Sequence, residues 1–275
     1  MLDTLIDVCL DTLKLVPFLY LAYLLLDYID KKSSNTTLNA LFLNRFSIVF
    51  AALCGCIPQC SFSVIAASLY ASGVISMGTL VAVFISTSDE ALPLFITNPS
   101  QYKNLLWMIV LKVVIAIIAG YLIDFIFPKH WDEDEEFEVT LDGLCNCSSN
   151  YFINALDKTI NTTIFIFIVN LIFGILFYFG QDTIINILSG HTILQPIICS
   201  SLGFFPNCAM SVVIVELHFK GAITFGSMIS GLCTGAGMGL AVLFNRNKDV
   251  YNNMMIMGYL LVVSVIAGIL INLIF

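Results

Sequence analysis

The stretches Cys54-Gly-Cys-Ile-Pro-Gln-Cys60 and Gly203-Phe-Phe-Pro-Asn-Cys208 decide the fold. Each interrupts a long apolar run, and similar text follows each. At an offset of 148 residues Gly55 falls on Gly203, Pro58 on Pro206, Cys60 on Cys208, Ser63 on Ser211 and Gly73 on Gly221. A proline inside a membrane-buried run removes a backbone donor and breaks the helix. In lipid such a break survives only where protein or a water-filled cavity satisfies the freed groups. Two breaks in corresponding positions are the sequence sign of a transporter binding site.

Composition sets the solvent. Hydrophobic residues fill 59% of the 275 positions and charged residues 11%, with mean hydropathy +0.96. A soluble domain cannot hide that much apolar surface, so the chain reads as a polytopic all-α membrane protein with the lipid bilayer as a partner. The net charge of −8 comes largely from one acidic stretch, Asp132-Glu-Asp-Glu-Glu136. Without a basic patch, nucleic acid is excluded as a partner. Asp3, Asp7 and Asp11 near the start disfavour a cleaved signal peptide. The nine cysteines sit mostly in apolar segments, where they act as small hydrophobes or soft ligands rather than a disulfide framework.

Outward from the breaks, the chain divides into a first membrane repeat at 1–127, an acidic linker at 128–148 and a second repeat at 149–275. From Gly55 to Phe127, 19 of 73 aligned pairs are identical without a gap. Shared apolar composition alone would give roughly 6. Each half holds a long first span (4–28 or about 157–179), a short run into the break, a short helix beyond it and two further spans. The basic residues suggest that the halves face opposite ways. The polar loop after the first span carries Lys31, Lys32 and Arg45, whereas its counterpart, Gln181 to Gln195, has no lysine or arginine. Conversely, Lys103 stands alone where the second half has Arg246 and Lys248. Basic loops mark the cytoplasm. Two inverted-topology repeats of about five membrane segments follow, with the linker cytoplasmic and both termini outside. The short helices then either cross or re-enter.

Several residues could carry chemistry. Asp89 and Glu90, beside Ser86 and Ser88, lie deep in an apolar span, where carboxylates usually line an ion path. The bland reading is an unwound, solvated segment. Their counterpart is Thr234-Gly-Ala-Gly-Met238, in which Gly235 and Gly237 permit unusual torsions and close approach, or simply helix packing. At the breaks, Cys60 and Cys208 are the thiols shared by both halves, with Gln59 and Asn207 as polar neighbours beside Pro58 and Pro206. Thiolates suit a soft metal or metalloid, although buried cysteine is commonly packing. Thus Asp89, Glu90, Cys60 and Cys208 are the candidate metal ligands. Glu216 and His218 on the second short helix offer a proton relay, or else snorkel to the surface with Lys220. Lys112 could neutralise a carboxylate. His130 and Cys145-Asn-Cys147 in the linker are too weak a pattern for a metal site. Walker, His-Glu-x-x-His and Gly-x-Ser-x-Gly patterns are missing, so neither ATP-driven transport nor a common enzyme chemistry is expected, and no cofactor.

Ile57-Pro-Gln-Cys60 with Phe62-Ser, Leu69-Tyr-Ala, Gly78-Thr-Leu and Ser86-Thr-Ser-Asp-Glu90 resembles the bacterial ten-helix heavy-metal exporter family. Its members are labelled manganese transporters or arsenic efflux proteins. The second half matches through Phe205-Pro-Asn-Cys208, Gly221, Ile223, Gly231 and Thr234-Gly-Ala-Gly-Met-Gly-Leu-Ala-Val-Leu-Phe244. The resemblance implies ten membrane segments and an export role at the bacterial inner membrane. Extra cysteines at Cys54 and Cys56 depart from the family's pattern. The expected activity is secondary active export of manganese, another divalent heavy metal or an arsenic species by alternating access, with a homo-oligomer left open. Its rivals are a transporter of a small organic or anionic metabolite with structural cysteines, and a membrane enzyme using Asp89 and Glu90.

Overall fold

The computed structural model of the chain describes residues 47–56, 61–87, 91–97, 102–127, 194–206 and 208–274, with isolated positions at 16, 17, 20, 156, 159, 160, 163, 164, 167, 168 and 171. Among the described residues every regular element is a helix. In chain order these are α1 (Ser47–Gly55), α2 (Ser61–Ala71), α3 (Met77–Ser86), α4 (Ala91–Thr97), α5 (Tyr102–Ile126), α6 (Gln195–Gly203), α7 (Cys208–Phe219), α8 (Phe225–Thr234), α9 (Met238–Arg246) and α10 (Val250–Ile274). The acidic linker and most of the first span of each half lie outside the described residues.

Among the described residues three stretches are long and apolar enough to cross a bilayer: Tyr102–Ile126, Phe225–Arg246 and Val250–Ile274. They are used differently. On α5 and α10 only one stripe is buried, and Leu106, Ile118 and Phe125, like Val262, Leu270 and Leu273, are exposed. Apolar side chains exposed along a full-length span are the lipid-facing kind. By contrast all ten residues of α3 are buried, and all of α8 from Gly226 to Thr234. These two short helices form the axis of the molecule. Each starts from a side-chain cap: Ser76 accepts from the Thr79 N–H at 3.1 Å, and Thr224 accepts from the Ser227 N–H at 3.3 Å. Such caps satisfy donors that the first turn leaves unpaired.

Contacts fix the helix directions. Ser47 Oγ meets Thr79 Oγ1 at 3.1 Å near the starts of α1 and α3, and Gly55 lies against Ser86 at their ends, so α1 runs with α3. α2 runs the other way. It ends at Ala71, and a turn with Gly73 at φ 77° hands the chain to α3 at Met77. The Gly73 and Val74 N–H groups bond back to the Tyr70 and Leu69 carbonyls at 2.9 Å. Hence α1 enters and α2 leaves on the same side, with their connection at the far end.

The second half has the same arrangement. Gln195 at the start of α6 accepts from the Thr224 N–H at 3.3 Å, and Gly203 at its end lies against Thr234. After α7, Gly221 at φ 70° turns the chain into α8, with its N–H and that of Ala222 bonded to His218 and Leu217 at 2.9 Å. Both turns need a left-handed residue, which glycine alone adopts without strain.

α5 and α10 return antiparallel to α3 and α8. Gly78 packs on Gly120 and Asp124, and Gly226 packs on Gly268 and Asn272. Among the described residues the two halves are joined mainly through α2 and α9. Gly239, at the start of α9, is pressed against Ser63 near the start of α2, and Tyr70 Oη donates to Asn252 Oδ1 at 3.0 Å near their ends. So α2 and α9 run in parallel. From Asn252 to Asn272, α10 spans about 30 Å, twice the length of α8, and α9 therefore extends the line of α8 rather than folding back on it. Since α2 opposes α3 and accompanies α9, the α8–α9 line travels opposite to α3.

Candidate functional site

Broken helix ends gather at the centre. From one side come the C-termini of α1 and α3, joined where Gly55 leaves room for the Ser86 hydroxyl. From the other come the C-termini of α6 and α8, joined where Gly203 leaves room for the Thr234 hydroxyl. A Cβ at Gly55 would also stand 2.9 Å from the Val83 carbonyl, and one at Gly203 3.2 Å from the Gly235 nitrogen. The N-terminal turns of α2 and α9 meet at Ser63 and Gly239, and that of α7 brings Ser211 toward Gly235.

α3 ends at Ser86, capped by Thr87 with φ −57° and ψ 129°. Ser86 Oγ and Thr87 Oγ1 both donate back to the Val83 carbonyl, at 3.1 and 2.7 Å. α8 ends at Thr234, and Gly235 to Gly237 form an unwound link before Met238. Gly237 sits at φ 53° and ψ −136°, and the Ala236 N–H turns back on the Thr234 carbonyl at 2.8 Å. The backbone here leaves the helix because the sequence offers three residues without bulk between two helix-forming runs.

Lys112 joins the two ends. It is fully buried on α5, and its partners include the Thr87 carbonyl, at the end of α3, and the Leu232 carbonyl, in the last turn of α8, at 3.0 Å. A helix C-terminus carries about half a negative charge. One ammonium therefore serves two converging C-termini, one from each half. Cys56 and Cys233 are within electrostatic reach of it. Bonds to the Thr87 and Leu232 carbonyls leave no residue signature, since these partners are backbone oxygens; the sequence signal is a lone lysine in an apolar span.

The predicted site residues fall into three groups. Ser86, Thr234, Gly235 and Gly237 are at the junction, and Pro206 stands in the bend between α6 and α7. The Thr234 hydroxyl is engaged in packing and donates toward the carbonyls of Ser200 at 2.8 Å and Gly231 at 3.0 Å. What it retains for an ion is a lone pair. Pro58, Gln59, Cys60, Ser88, Asp89, Glu90 and Asn207 lie outside the described residues, as does the side chain of Cys208, the first residue of α7. Along the chain, Asp89 and Glu90 immediately precede α4, and Cys60 immediately precedes α2. Among the described residues no three of His, Cys, Asp and Glu gather into a metal-holding group, and Cys54, Cys56, Cys199 and Cys233 are free thiols.

Glu216 and His218 occupy the far end of α7. Eight to ten residues of helix put them roughly 12–15 Å from its start. Glu216 is half exposed and pairs with Lys220 at 3.2 Å, while His218 Nδ1 faces the Ile223 carbonyl at 3.2 Å. Sequence reasoning also passed over Asp124 and Asn272. Asp124 accepts from the Gly78 N–H at 2.6 Å and Ser76 Oγ at 2.7 Å, and Asn272 accepts from the Gly226 N–H at 3.0 Å. The 148-residue offset aligns these two positions, and an identity count misses them because they are isosteric rather than identical.

Apolar helices interrupted where their ends meet recur in many transporter folds. The family model described as "Putative, 10TM heavy-metal exporter" matches residues 2–183 and 146–275, and the chain belongs to that family. No curated protein and no solved structure gives a match.

Proposed function

We propose that the chain is a secondary active transporter that exports a metal or metalloid ion across the bacterial inner membrane. Manganese, another divalent heavy metal and an arsenic species are the candidate cargoes. Its halves, 1–127 and 149–275, are inverted repeats joined by a cytoplasmic linker at 128–148, with both termini outside. Each half has three crossings and one re-entrant hairpin, α1–α2 or α6–α7, whose tip carries the Pro-x-Cys break. The observation that carries this reading is the meeting of the α3 and α8 C-termini, which approach from opposite directions and share Lys112.

The cargo binds where the hairpin tips reach the unwound links. Asp89 and Glu90 supply charge, Cys60 and Cys208 soft donors, and Gln59, Asn207, Ser86, Ser88 and Thr234 oxygen donors. Freed backbone groups at Pro58, Pro206, Gly235 and Gly237 complete the shell. Rocking one repeat against the other exposes the junction to each side in turn. The site is asymmetric in chemistry, because Asp89 is aligned with Gly237.

Flux in proteoliposomes tests the proposal across a panel of manganese, zinc and arsenite. Gradient-driven movement of at least one is expected, and Cys60→Ser with Cys208→Ser should weaken it by at least about tenfold, as loss of metal-site groups does. Unchanged flux in the double variant removes the thiols from the site. Movement of organic anions instead of any ion of the panel makes the metabolite reading correct, and turnover without vectorial movement makes the protein an enzyme.

A further inference from the structure

A buried cation between two helix C-termini answers a physical need. The Thr87 and Leu232 carbonyls end α3 and α8, helices from different halves that approach head to head. Two partial negative charges brought together out of water repel each other, and the carbonyls need donors that their own helices no longer supply. Carbonyl oxygens at unwound or terminal helix turns are the groups that bind monovalent cations in broken-helix transporters. Here Lys112, with no exposed surface, delivers its ammonium to that place from α5. The aligned position on α10 is Leu260, also fully buried and without charge. The two halves thus share one lysine.

We propose that Lys112 is a tethered cation filling a small monovalent-cation site built from the C-terminal carbonyls of α3 and α8, and that it positions the two halves at the cargo site. Among the described residues, ionisable groups in reach include the Cys56 thiol at the end of α1 and the Cys233 thiol on α8. Asp89 and Glu90 follow Thr87 by two and three residues in the chain, outside the described residues. The inference rests on the reading of two opposed halves and not on which ion is moved. At the 148-residue offset, a lysine at 260 has the Gly235 and Phe84 carbonyls as its aligned partners at the same junction. The charge can then come from either half.

The test uses the full-length protein in detergent and in vesicles, with Lys112→Ala and the swap Lys112→Leu/Leu260→Lys. Lys112→Ala is expected to melt about 5 °C or more below wild type and to lose roughly tenfold to a hundredfold in flux of whichever panel ion wild type moves. Ethylammonium or sodium chloride, but not choline chloride, should raise its melting temperature, with no such effect on wild type. The swap should recover most of the lost stability. If Lys112→Ala fails to fold, the swap decides alone: a folded, stable swap supports the tethered cation, and an unstable one overturns it. Equal stability of wild type and Lys112→Ala also overturns it, as does a Lys112→Ala protein indifferent to cation identity together with an unrecovered swap. The melting measurements need no transport, so a wild type that moves no ion refutes the export reading while leaving this inference to stand or fall by itself.

Discussion

At the scale of single residues, Asp124 and Asn272 show what a repeat preserves and what it lets drift. Both oxygens cap the N-terminus of a buried helix from a neighbouring one. Both stand beside a glycine whose Cβ would collide with the cap, at 2.6 Å from Asp124 Oδ1 for Gly78 and 2.5 Å from Asn272 Oδ1 for Gly226. The geometry asks for an acceptor at that place, not for a charge. Asp124→Asn should therefore shift thermal stability little, by less than about 0.5 kcal/mol, whereas Asp124→Ala should cost about 1–2 kcal/mol, the usual loss of a cap. Melting curves in detergent check both. An Asp124→Asn protein as impaired as Asp124→Ala would show that the charge itself matters, and the equivalence to Asn272 would lose its meaning. Only the alignment made this legible. Asp124 alone reads as a charge near the end of a span.

At the scale of elements, glycine divides into two kinds. Gly203 faces the Thr234 hydroxyl and the Gly231 backbone, Gly237 sits at φ 53° and ψ −136°, and Gly258 on α10 has nothing within 4 Å of a Cβ. Gly203→Ala must part α6 from α8, at a cost of about 1–3 kcal/mol as overpacking usually brings. Gly237→Ala is strained by about 1–3 kcal/mol wherever its side chain points. Gly258→Ala should be neutral or stabilise by up to about 1 kcal/mol, since alanine is the better helix former. A melting series of the three variants ranks them, and a Gly237→Ala protein as stable as Gly258→Ala would mean that the unwound link between α8 and α9 is not held. The link itself was legible, because Gly235-Ala-Gly237 follows a hydrophobic run with no other reason to stop. The course of the short helices was not. Residues 47–71 are as long as a full span, and sequence alone cannot tell a crossing from a hairpin. The tight turns on Gly73 and Gly221, together with Ser47–Thr79 and Gln195–Thr224, bring entry and exit to the same side.

At the scale of the whole molecule, two independent arguments about orientation meet. Lysine and arginine change sides between aligned loops, which is a statement about the membrane. The pairing of α2 with α9 makes the α8–α9 line run against α3, which is a statement about contacts and uses no charge at all. Each alone leaves a gap: charge cannot describe packing, and contacts cannot say which side is the cytoplasm. Under the proposed inverted topology, the C-terminus of α10 and the acidic linker are expected on opposite sides of the bilayer. α5 ends at Ile126 just before that linker, and α10 ends at Ile274. Alkaline phosphatase fused after Phe275 should therefore be active in a bacterial host, and a green fluorescent protein fused there dark. Insertion of either reporter near residue 140 should give the reverse pattern. If both positions report the same side, the halves are parallel, and α3 and α8 cannot approach Lys112 from opposite leaflets. Alternating access by rocking would then lose its symmetry, because only opposed halves can exchange their inward- and outward-facing shapes about a shared central cation.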